Sequence, residues 1–119
     1  MITMLIAAAI VFPADRSYAT ASTSLQRKEI VECSLAIGDM GQATAVDTEY
    51  GQRLDFRYKN LGGTMKEPSF SLEVHDGEQR TLLLYGFGPM RGAVKNIWKH
   101  FAKKCFPEVA DVTVVRPAK

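Results

Sequence analysis

The chain reads as an α+β domain: an antiparallel sheet of about five or six strands, one amphipathic helix packed on it, and a disulfide as staple. Three observations lead there. Apolar and polar residues alternate in short runs bounded by turn residues, as where Leu54, Phe56 and Tyr58 alternate with Asp55, Arg57 and Lys59. Period two is the pattern of a half-buried strand. One run breaks that rhythm: Val94, Ile97, Trp98, Phe101, Ala102 and Cys105 fall on a single stripe of a helix over Ala93–Cys105. Finally, Cys33 and Cys105 are the only two cysteines.

The N-terminus sets the expected compartment. Met4 to Phe12 is apolar throughout, and small residues follow, with Ala19-Thr20-Ala21 as an A-x-A cleavage site and Ser17-Tyr18-Ala19 as its competitor. This is the pattern of a secretory signal peptide over residues 1–21, with a run too short to span a membrane. No Lys or Arg precedes the run, which departs from the usual pattern. Cleavage leaves one small domain, Ser22–Lys119, expected in a periplasmic or secreted setting with no membrane span and with a mature N-terminus at Thr20 or Ser22. In an oxidising compartment two cysteines are most simply a disulfide. A Cys33–Cys105 bridge closes a loop of about 70 residues and stabilises by about 4 kcal/mol on the chain-entropy argument.

The strands follow in order. Val31, Cys33, Leu35 and Ile37 alternate with Glu32 and Ser34, predicting a first strand; a helix from Ser24 competes, because Gln26-Arg27-Lys28-Glu29 are good helix formers. Gly38–Gly41 is a turn. Thr44–Tyr50 alternates as a second strand, ended by Gly51, and Leu54–Lys59 is a third. Asn60–Gly63 turns the chain and a polar loop reaches Pro68. Phe70–His75 and the strand ending at Tyr85 form a hairpin around Asp76-Gly77, a dipeptide suited to a type I′ turn. A two-residue turn pairs His75 with Glu78, Glu73 with Arg80, Leu72 with Thr81 and Phe70 with Leu83. That register sets opposite charges on one face and apolar groups on the other. After the helix, Val109–Val115 is β-prone. It returns either as the end of a right-handed β-α-β crossover or as an antiparallel edge strand.

Charge is segregated along the chain although the net value is only +2. Arg91, Lys95, Lys99, Lys103 and Lys104 lie between Met90 and Cys105 with no acid among them, and the lysines at 95, 99 and 103 form one row on the helix. Glu29, Glu32, Asp39, Asp47 and Glu49 occupy a stretch with no Lys or Arg. The basic row is the candidate surface for an anionic or protein partner, with Arg91, Lys95, Lys99 and Lys103 as its residues. The bland alternatives are a solvated helix face, or a row that answers the acidic stretch within the fold or across a dimer.

Signs of catalysis are sparse. Gly86-x-Gly88-x-x-x-Gly92 lies between strand and helix, where phosphate loops lie, but matches neither dinucleotide nor P-loop spacing. His75-Asp76 at the hairpin tip suggests a base and its orienter, while His100 sits among lysines. No zinc spacing or nucleophile motif occurs, so no metal and no cofactor is expected. Phe56, Arg57, Tyr58 and Lys59 interleave aromatics with base, but alternation puts rings and charges on opposite faces, which makes core of the rings and nucleic-acid binding unexpected. The sequence therefore points to an exported, non-enzymatic binding or accessory protein. The alternative is a small secreted hydrolase or anion-binding enzyme using the 75–78 tip or the 86–92 glycine turn.

Overall fold

A computed structural model describes residues 16–37, 42–57, 68–109 and 113–115. The expected leader up to residue 15, the turns at Gly38–Gly41 and Asn60–Gly63, and the last four residues lie outside that set. The fold is α+β, as the alternating runs require. A six-stranded antiparallel sheet has the order β2-β3-β4-β5-β1-β6, formed by β1 (Tyr18–Thr23), β2 (Gln42–Asp47), β3 (Gly51–Arg57), β4 (Phe70–His75), β5 (Arg80–Gly86) and β6 (Thr113–Val115). Two helices accompany it, α1 (Arg27–Ala36) and α2 (Val94–Cys105). The last strand takes the edge alternative: β6 runs antiparallel to β1.

The helix α2 matches its stripe. Val94, Ile97, Trp98, Phe101 and Ala102 are buried, and Cys105 packs at their margin. They meet one face of the sheet, built from Ala19 of β1, Leu54 and Phe56 of β3, Phe70, Leu72 and Val74 of β4, and Leu82 and Leu84 of β5. Phe101 sets its ring edge-on to Phe56 and Phe70, at 5.2 and 5.9 Å between centroids, and those two stack on each other at 4.7 Å. Phe56 is thus core, as alternation required; Tyr58 and Lys59 lie outside the described residues.

Two readings are corrected. The first strand expected at Val31–Ile37 is the helix α1. Only Ile30, Val31 and Ser34 of α1 are buried, a spacing of one helical turn, and Leu35 is 40% exposed. The helix formers Gln26–Glu29 supply its first turn, where the Glu29 carboxylate accepts a hydrogen bond from the Gln26 N–H at 3.2 Å. The sheet gains its remaining strand from Tyr18–Thr23 instead, across the expected cleavage motif.

The second correction is the register of the β4–β5 hairpin. His75 pairs with Thr81, Glu73 with Leu83, Leu72 with Leu84 and Phe70 with Gly86. Five residues, Asp76–Arg80, separate the paired His75 and Thr81, three more than in a tight Asp-Gly turn. The shift is odd, so β5 turns its other face to the helices. The two-residue register would have placed Leu82 and Leu84 away from the core. In the observed one both are fully buried beside Leu72 and Val74. Burying a leucine side chain stabilises by about 1.5–3 kcal/mol, whereas an exposed cross-strand charge pair contributes roughly 0.2–1 kcal/mol. The leucines decide the register.

Cys33 of α1 and Cys105 of α2 form the disulfide, with 5.6 Å between their Cα atoms. It ties the short first helix to the end of the second, so the staple stands although Cys33 sits on a helix rather than a strand. No described helix is long and apolar enough to cross a membrane.

Candidate functional site

The structure separates the polar chemistry onto two surfaces. The first is the outward side of α2. Lys95, Lys99 and Lys103 are all exposed along it, and Arg91 is exposed just before its first turn. Among the described residues no carboxylate lies within ion-pair distance of the three lysines. Two of the acids expected as intramolecular answers, Glu29 and Asp47, are engaged elsewhere. Glu29 caps its own helix, and Asp47 accepts from the Gln52 amide at 3.0 Å in the β2–β3 hairpin. Lys103 and Lys104 stand in the last turn, where the helix dipole favours them.

The glycine turn presents less to an anion than its position promised. Gly88–Met90 forms a 3-10 turn in which Met90 N–H donates to the Phe87 carbonyl, Arg91 N–H to that of Gly88 and Ala93 N–H to that of Met90. Phe87 N–H donates to Ser69. These donors are therefore spent inside the protein. Gly86 is required on packing grounds, because a Cβ there would lie 2.0 Å from the Met90 carbonyl oxygen.

The second surface is the sheet face opposite the helices. Alternation places Arg53, Asp55 and Arg57 of β3, Ser71, Glu73 and His75 of β4, and Leu83 and Tyr85 of β5 on it. Arg53 grips Asp55 through two hydrogen bonds of 2.9 and 3.1 Å, and Ser71 Oγ donates to the same carboxylate at 2.7 Å. Tyr85 donates its phenol to Glu73 Oε2, whose other oxygen meets His75 Nε2 at 2.7 Å. The His75 ring stacks on Tyr50, 3.9 Å between centroids and 9° from parallel. A shallow 250 Å³ depression beside this network is walled by Arg53, Arg57, Ser71, Tyr85 and Phe87.

These contacts reassign the residues singled out from sequence. His75 is joined to Glu73 of its own strand rather than to Glu78, and Asp76 faces Arg27 at 3.5 Å rather than orienting the imidazole. Ser71, the hydroxyl nearest in sequence to the histidine, is committed to Asp55, and both thiols are consumed in the disulfide. Ser71 and Tyr85 escaped sequence reasoning because their meeting with Asp55 and Glu73 depends on strand register; Arg53 and Asp55, two apart on β3, carried no motif that singled them out. Among the described residues no group of three His, Cys, Asp or Glu side chains is placed to hold a metal.

Burial and the bond to Glu73 push the Tyr85 phenol well above the ordinary tyrosine range, and the Glu73 charge adds to this. Burial also raises Tyr50. The sign follows directly. Tyr85 holds its proton more tightly folded than unfolded, so its contribution to stability is complete below pH ~10 and is lost as pH rises through the folded value. Ultraviolet titration of the folded protein should show a late-ionising tyrosine fraction that shrinks in Tyr85→Phe. All tyrosines ionising together near pH ~10 would contradict the network.

No family model, curated protein or solved structure matches this chain.

Proposed function

We propose that the chain is a small exported binding or accessory domain that engages an anionic partner, a protein or an envelope component, through the outward row of α2. The observation that carries the reading is the lack of any described acid beside Lys95, Lys99 and Lys103, all exposed on one rigid helix. Charge left unanswered on a helix with a fully buried opposite side is a preformed electrostatic surface. The disulfide accords with an oxidising compartment. A hydrolytic reading at residues 75–78 has less to stand on: the histidine, the neighbouring acid and the nearest serine each have another partner.

The test is Lys95→Glu with Lys99→Glu. Exposed lysines away from special contacts affect stability by about 0.5 kcal/mol or less, so the melting temperature should barely move. Cosedimentation of wild-type protein with phosphatidylglycerol vesicles probes an anionic surface, and a pull-down from the exported fraction probes an anionic protein. Each lysine near an anionic surface contributes about 1 kcal/mol, so the double reversal should weaken binding at least about tenfold. Wild-type binding should also fall steeply with salt, since exposed charges are screened within ~8 Å at physiological ionic strength. Binding that ignores both the reversal and the salt would overturn the proposal.

A further inference from the structure

We infer that residues 16–23 belong to the folded, functional domain, and that the Ala19-Thr20-Ala21 motif is not its processing site. The inference builds on the export reading only in concerning where a leader is cut. β1 is an interior strand. All six of its residues pair with β5, from Tyr18 opposite Tyr85 to Thr23 opposite Arg80, and Tyr18–Thr20 pair on their other side with β6. Ala19 is fully buried in the core under the helices, and Tyr18 is buried on the opposite face with its ring 5.6 Å from that of Tyr85. The segment is tied at both ends. Thr23 Oγ1 donates to Glu108 at 3.2 Å; Arg16 donates to the Gly86 carbonyl at 3.2 Å and lies 4.8 Å from the centre of the Phe87 ring.

A cut after Ala21 removes Tyr18–Ala21. It leaves the backbone groups of β5 from Leu82 to Tyr85 without their partner on that side, in the middle of the sheet. It also takes away the strand on which β6 rests. A cut after Ala19 still removes Tyr18 and Ala19. Signal peptidases act before folding, so the strand would not shield the bond; what matters is the domain that remains. Buried main-chain groups require partners, and an open interior edge recruits other strands.

The resemblance to a cleavage site has a physical origin. An A-x-A motif places small residues two apart, and so does a strand that turns small residues toward a helix. Ala19 and Ala21 both face the core side, where α2 packs against β1. Their smallness is explained by helix-on-sheet packing without reference to a peptidase.

Intact-mass analysis of the full chain expressed with its own N-terminus, in exported and cytoplasmic fractions, tests this, together with the variant Ala21→Val. Valine suits a strand but disrupts the small-residue requirement of the motif. We expect the exported protein to begin at or before Arg16, and Ala21→Val to be processed like wild type. An N-terminus at Thr20 or Ser22, or accumulation of unprocessed Ala21→Val, would overturn the inference. A folded, uncut chain confined to the cytoplasm would support it while removing the export reading, so the two fail separately.

Discussion

Replacing Cys33 and Cys105 together by serine should lower the stability of the oxidised protein by about 4 kcal/mol, the loop-entropy value for a bridge between residues 72 apart. For a domain of this size that corresponds to a fall of roughly 15–30 °C in melting temperature. The loss should be uneven. α1 is ten residues long, too short to persist alone, and buries only Ile30, Val31 and Ser34. The sheet and α2 share the much larger aromatic core. Hydrogen exchange of the serine variant should therefore show α1 amides losing protection first, with β3, β4 and β5 keeping theirs longest. Urea denaturation giving a loss under ~1 kcal/mol would mean that α1 holds its place without the bridge, against the entropy argument.

What could be read from the sequence divides along a physical line. The apolar stripe of a single helix was legible: the α2 stripe from Val94 to Cys105 needs only the helical period, and its buried residues are those the spacing picks out. Contacts that depend on register were not. Asp76-Gly77 suggested a tight turn with matched charges, yet the burial of Leu82 and Leu84 outweighed those pairs, lengthened the loop and flipped β5. The flip brought Tyr85 beside Glu73, so the polar network on that face was hidden by the same error. Residues Val31–Ile37 misled for a different reason. Four apolar residues at alternate positions satisfied period two, but Leu35 is exposed and the actual anchors, Ile30, Val31 and Ser34, follow the helical period. The basic row on α2 was legible as a row; that no described acid answers it required the fold.

The other large effect is expected at Trp98, the only tryptophan. It is fully buried on α2, its ring 5.2 Å from that of Phe106, which is fully buried just beyond the helix. Phe106 in turn closes the helix end, its N–H donating to the Ala102 carbonyl at 3.1 Å. Truncation at Trp98 thus removes both a large apolar surface and the platform on which the end of α2 rests. Trp98→Ala should cost about 3–5 kcal/mol, the transfer loss plus the cavity left behind. Single domains of this length have only about 5–15 kcal/mol in total, so the variant should sit near its unfolding threshold at 37 °C. Trp98→Phe keeps an aromatic ring against Phe106 and should lose less than half as much. Urea denaturation followed by far-ultraviolet circular dichroism is the appropriate measurement, because the substitution removes the tryptophan fluorescence. Equal losses in the two variants would show that the specific shape of the indole, rather than the apolar volume it fills, holds α2 on the sheet.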